Sequence, residues 1–124
     1  VTPDAARYVC KRHGATYDLS RLKNDSVYNA MLGAAELGGL LEDYRGSYIM
    51  TFIAYNAGPR KVPEWIGRYG DPRGKSIDEV VDWIERIPFP ETRNYVQRVM
   101  ENYQVYKSRL GQETDIVHDL RFGR

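Results

Sequence analysis

From Tyr48 to Ala57 the chain reads Tyr-Ile-Met-Thr-Phe-Ile-Ala-Tyr-Asn-Ala, and only Thr51 and Asn56 lack an apolar body. A helix apolar on every side belongs at the centre of a domain rather than on its surface. Ser47 stands where a cap would start such a helix, and Gly58-Pro59 would stop it. The last turn nonetheless carries a phenol and an amide, Tyr55 and Asn56. Unmet at a buried end, each such group costs roughly 1–3 kcal/mol, so protein or ligand must supply partners.

The remaining periodicity is helical too. Pro3 to Arg12 predicts a short helix capped by Thr2 and closed by Gly14, with Ala6, Val9, Cys10 and His13 on one side. Tyr17 to Lys23 reads as a connector. Asn24 or Asp25 then caps a long helix whose inward face is predicted as Val27, Ala30, Ala34, Leu37, Leu41 and Tyr44, in steps of three and four. Gly33, Gly38 and Gly39 lie within it. Mid-helix glycine costs roughly 1 kcal/mol against alanine, so close approach of another helix or a ligand is the expected compensation.

Gly46 ends that helix. Val62 to Tyr69 predicts a short helix, and Ser76 or Asp78 opens another through Val80, Val81, Trp83 and Ile84 that ends by Pro88. Pro90 opens the last long helix, with Val96, Val99, Tyr103, Tyr106 and Leu110 inward and Gly111 at its end. Residues 112–124 read as a polar, loosely held tail beyond a domain spanning 1–111. No convincing apolar-polar alternation occurs. The fold class is all-α, with about six helices.

At 124 residues the chain is long enough for one domain with one real core. A net charge of +1, with acidic and basic residues interleaved, argues against a nucleic-acid footprint. No apolar run approaches the length of a membrane span. Cys10 is alone, which excludes an intrachain disulfide, and one cysteine with two distant histidines makes no recognisable metal set. No cofactor is called for. A start at Val1 on a helix cap, without initiator methionine or signal peptide, reads as the downstream part of something longer or as a processed product.

Three stretches carry candidate chemistry: Ala54-Tyr55-Asn56-Ala57-Gly58-Pro59-Arg60, then Asp82-Trp83-Ile84-Glu85-Arg86-Ile87-Pro88-Phe89, then Glu91-Thr92-Arg93-Asn94-Tyr95. In this order they resemble the lytic transglycosylase domain of the soluble type. The Thr-Pro-x-x-Ala opening, Tyr28-Asn29 through Gly33-Ala34, and Tyr95-Val96-Gln97-Arg98-Val99 extend the resemblance over nearly the whole chain.

The resemblance implies a lysozyme-like α fold, a bacterial periplasmic or cell-envelope location, and peptidoglycan glycan strands as the partner. It implies cleavage between N-acetylmuramic acid and N-acetylglucosamine without water, leaving a 1,6-anhydromuramoyl end. One glutamate would protonate the glycosidic oxygen and then, as base, take the proton of the sugar's 6-hydroxyl. In this family that glutamate sits in a Glu-Ser pair, followed by Gly-Leu-Met-Gln, upstream of the Thr-Pro helix. Neither string occurs here. The acid is therefore expected before Val1, and this chain alone is expected to be inactive; Glu36, Glu42 and Glu101 do not replace it by position.

The same resemblance makes Tyr55 the tyrosine beside the catalytic carboxylate; otherwise it is a core tyrosine bonded to backbone. Asn56 lines the sugar site or caps its helix end. Glu91 either lines the cleft or favours the positive end of the last helix. Tyr95, one turn on, extends the same wall or packs. Arg93 is expected in an ion pair with Glu91 or Asp82. Trp65 and Trp83 are expected in the core, and Cys10 as a small buried residue. The alternative function is a non-catalytic glycan-binding or structural helical module of the same fold.

Overall fold

The computed structural model describes residues 2–123. Among these the chain is all-α, with eight helices: α1 (Pro3–His13), α2 (Leu19–Asn24), α3 (Ser26–Asp43), α4 (Tyr48–Ala57), α5 (Lys61–Tyr69), α6 (Ile77–Glu85), α7 (Pro90–Arg109) and α8 (Ile116–Phe122). The expectation of about six omitted α2 and α8. Residues read as a connector form α2, a helix too short to show a period. Asp18 caps it by accepting from Arg21 N–H, and Asp25 caps α3 by accepting from Tyr28 N–H.

Helix α4 is the centre. It packs against α3, α5, α7 and α8, and Met50 and Ile53 have no exposed surface. Around them lie Leu40, Val62, Trp65, Val80, Trp83, Ile87, Val96 and Met100. Both tryptophans are buried, as expected, and Trp83 Nε1 donates to the Gly70 carbonyl at 2.7 Å. A smaller core joins α1, α2 and α3 through Ala6, Val9, Cys10, Leu22, Tyr28 and Leu32. There the Tyr28 hydroxyl accepts from Asp18 N–H and donates to the Thr16 carbonyl, which leaves the buried phenol satisfied.

Three predicted faces need correction. On α3 the buried positions are Tyr28, Leu32, Gly33, Gly39 and Leu40, whereas Val27 is 66% exposed. The helix is rolled from the predicted face because it is gripped from two sides, by α1 and α2 and by α4. Gly39 meets the expected close approach: a Cβ there would lie 2.9 Å from Nη1 of Arg12, which reaches over from α1 to pair with Asp43. On α7 the inward residues are Thr92, Val96 and Met100, while Tyr106 and Leu110 run out past the core into solvent. On α1 His13 is exposed, because the helix ends beside it at Gly14.

The tail expected to be loosely held is also corrected. Helix α8 docks against α4, α6 and α7. Its anchor is polar, which is why no apolar pattern announces it. Asp119 is 3% exposed, and its Oδ2 accepts from Lys107 Nζ at 2.9 Å and Gln104 Nε2 at 2.7 Å. Removing one partner of a buried ion pair leaves the other charge uncompensated, which typically costs several kcal/mol. Asp119→Ala should therefore lower unfolding free energy in urea by about 3 kcal/mol. A loss below about 0.5 kcal/mol would mean that α8 is held in some other way.

Candidate functional site

Tyr55 and Asn56 occupy the last turn of α4, where the helix leaves the core. Gly58, at φ 103°, stops it, and its N–H returns to the Ala54 carbonyl. Such a φ is costly for residues bearing a Cβ. The chain therefore turns away sharply and leaves the side chains of the last turn facing a concavity of about 560 Å³. Thr2 and Ala5 from the start of α1, Glu36 from α3, and residues 54–59 line it.

Asn56 is not free to drift. Its Oδ1 accepts from the Thr92 hydroxyl at 2.6 Å, and Thr92, in the first turn of α7, is 2% exposed. This bond ties the two sequence stretches together, the Ala-Tyr-Asn-Ala-Gly string to Glu-Thr-Arg. With Oδ1 occupied, the amide offers its Nδ2 protons outward. Asn56 is thus engaged with a neighbouring helix rather than with its own helix end.

Tyr55 is half-buried. Burial, and then the negative charge of Glu36, hold its phenol above the ordinary tyrosine value. Tyr95 is held up by burial and then by Tyr55, and its ring meets Phe52 edge-on at 6.3 Å. The charge of Glu36 thus acts on Tyr55, and that of Tyr55 on Tyr95, across α3, α4 and α7. Tyr95 and Glu91 do not line the 560 Å³ concavity itself. Glu91 is exposed in the first turn of α7, beside Thr92, where its charge favours the helix start.

Arg93 departs from expectation. It donates to the Ile87 carbonyl at 3.3 Å, while Asp82 pairs with Arg86. It therefore braces the Ile-Pro-Phe loop, whose Ile87 is buried and whose Phe89 ring stands edge-on to Trp65. Among the described residues no group of His, Cys, Asp and Glu could hold a metal ion.

Glu36 is the lining residue that sequence reasoning missed. The sequence weighs it only as a stand-in for the catalytic acid, not as a lining residue. Spaced four from Leu32, three from Gly39 and four from Leu40, all buried, it is a carboxylate on an inward stripe, and that spacing was readable.

The arrangement places neutral donors (a phenol and an amide) beside one carboxylate in a half-open cleft. The phenols stay neutral at any ordinary pH. Because the folded state resists their ionisation, the stability they contribute is intact below pH of about 10 and is lost as pH rises through the shifted values. With Tyr55→Phe, the pKa of Tyr95 should fall toward the ordinary tyrosine value, as followed by tyrosine ¹³C NMR titration. An unmoved Tyr95 would contradict the influence of Tyr55 on it.

Comparison with known proteins shows the family and the fold. Residues 2–77 match the family described as Transglycosylase SLT domain, and residues 86–114 match the Soluble lytic transglycosylase helical domain. The chain is 33% identical over 96 residues to the soluble lytic murein transglycosylase of Salmonella typhimurium, covering 77% of this chain and 14% of that protein. It is 32% identical over 100 residues to that of Escherichia coli K12, covering 81% and 15%. In three dimensions it matches an inactive variant of lytic transglycosylase Slt from Pseudomonas aeruginosa, with TM-score 0.77 and 33% identity over 94% of this chain and 18% of that one. The chain thus spans a small part of the length of the relatives it matches.

Proposed function

From the premise that the chain belongs to the transglycosylase SLT family, with its lysozyme-like helical fold, we propose that it forms one wall of a peptidoglycan cleft in a lytic transglycosylase. The observation that carries this reading is the Thr92–Asn56 hydrogen bond. It fixes the tip of α4 against the start of α7, and so sets Tyr55, Asn56, Glu91 and Tyr95 on two adjoining elements. Residues 1–111 would be the downstream portion of the transglycosylase domain, with α8 as a docked C-terminal brace.

An N-acetylated glycan needs donors for its acetamido carbonyl and its hydroxyl oxygens. The Asn56 amide protons and the neutral Tyr55 hydroxyl are such donors, held in place by α4. Tyr95 and Glu91 extend the wall along the first turns of α7. The bond cleaved would be the one between N-acetylmuramic acid and N-acetylglucosamine. A protonated glutamate would give its proton to the departing glycosidic oxygen while the substrate's acetamido oxygen bonds to the anomeric carbon; the 6-hydroxyl oxygen would then displace the acetamido oxygen to close the anhydro ring, its proton returning to the same glutamate, now a carboxylate. Tyr55 would stand beside that acid as a neutral hydrogen-bond donor.

The acid itself belongs, in this reading, to the Glu-Ser pair of the family, which these 124 residues do not contain. The reaction would take place in the cell envelope of a bacterium, where the substrate is. No helix among the described residues is long and apolar enough to cross a membrane.

The chain by itself should release no anhydromuropeptides from purified sacculi, read by mass spectrometry; their appearance would show that one of its own carboxylates serves as the acid. In a full-length enzyme, Tyr55→Phe and Glu91→Gln should each lower activity or glycan affinity by about tenfold, the loss expected for one hydrogen bond to a charged or reacting group. Full retention by both would remove these residues from the site.

A further inference from the structure

Glu36 lines two neighbouring concavities. On one side is the 560 Å³ space at the tip of α4, with Tyr55 and Asn56. On the other is a more apolar cavity of about 520 Å³, walled by Tyr8, Val9, Ala35 and Leu40. Its helix neighbours Leu32, Gly39 and Leu40 are buried, so the side chain stands at the edge of the packed face of α3.

No described residue hydrogen-bonds or pairs with this carboxyl. Burial pushes its pKa up from the ordinary glutamate value. Arg12, which lines the apolar cavity with it, is committed to Asp43 and Glu42. A half-buried carboxylate without internal donors takes them from water, or from a ligand that displaces that water. The place where donors can enter is the cleft it shares with Tyr55.

Resting on the reading of that cleft as a glycan site, we propose that Glu36 is a substrate-binding carboxylate that accepts hydrogen bonds from the acetamido N–H or the hydroxyls of an N-acetylated sugar seated against Tyr55. The complementarity is specific. An acetamido group carries one acceptor and one donor. The tip of α4 offers donors, the Asn56 amide protons and the Tyr55 hydroxyl, and α3 offers the matching acceptor. The ligand class, on that reading, is an N-acetylhexosamine oligomer, whose acetamido N–H and hydroxyls can all donate to a carboxylate. Tyr55 senses the Glu36 charge, which agrees with both groups facing the same ligand.

The test is titration of the chain with an N-acetylglucosamine oligomer, followed by calorimetry, for the wild type, Glu36→Gln and Glu36→Ala. Glutamine keeps the shape and one acceptor oxygen but loses the charge. A hydrogen bond to a charged acceptor is expected to be worth about tenfold or more in Kd, so both variants should weaken binding by at least that factor. Their thermal melts should not fall, since no internal partner is lost. Wild-type binding with unchanged affinity in both variants would overturn the role of Glu36 while the cleft stands. No binding by the wild type would overturn the cleft reading and this role with it.

Discussion

A helix with no polar face must be enclosed, and the enclosure of α4 organises this molecule. Its apolar side chains demand neighbours on every side, which α3, α5, α7 and α8 provide. Its polar groups then have to be met within the protein. At the start, Ser47 Oγ accepts from Met50 N–H and the Thr51 hydroxyl donates to the Ser47 carbonyl. Farther along the same end, the Tyr48 and Tyr103 hydroxyls meet at 3.1 Å. At the exit, Thr92 meets Asn56. Each contact draws another element onto the helix, so satisfying α4 and assembling the fold are one process.

The cleft follows from the same constraint. A central helix is held rigidly over most of its length, so what its last turn displays is displayed at a fixed place. Glycine at 58 ends the helix abruptly, and the chain turns aside before it can cover Tyr55 and Asn56. Helices α1 and α3 then supply the remaining walls, and α7 braces the tip through Thr92. Preorganisation of this kind suits recognition of a polar ligand, because the donors are aimed before the ligand arrives.

How much of this was legible in the sequence varies with the physics. Helix α4 was plain, because ten nearly unbroken apolar positions admit few other readings. The helix starts at Thr2, Ser47, Ser76 and Pro90 were plain too, since caps and proline act locally. The roll of α3 was not. Its Ala- and Gly-rich surface offers several apolar stripes of similar quality, and only its partners decide which is buried. The observed roll is what brings Glu36 to the edge of the concavity. Helix α8 escaped because its anchor is an ion pair, Asp119 with Lys107, between residues that each look like surface charges. Tyr55, Asn56, Glu91 and Tyr95 were picked out as candidates from local strings. That Asn56 is tied to Thr92 was not visible in either string, because the bond spans thirty-six positions.

The central claim is that the tip of α4, braced by α7, is where glycan binds. The most direct measurement is a ¹H–¹⁵N NMR map of the chain as an N-acetylglucosamine oligomer is added. The account predicts that the largest shifts fall on residues 54–59, around Glu36, and on the first turn of α7 at Glu91 and Thr92. Shifts concentrated instead on the opposite end of α4, around Arg45, Arg73 and Arg121, would contradict it.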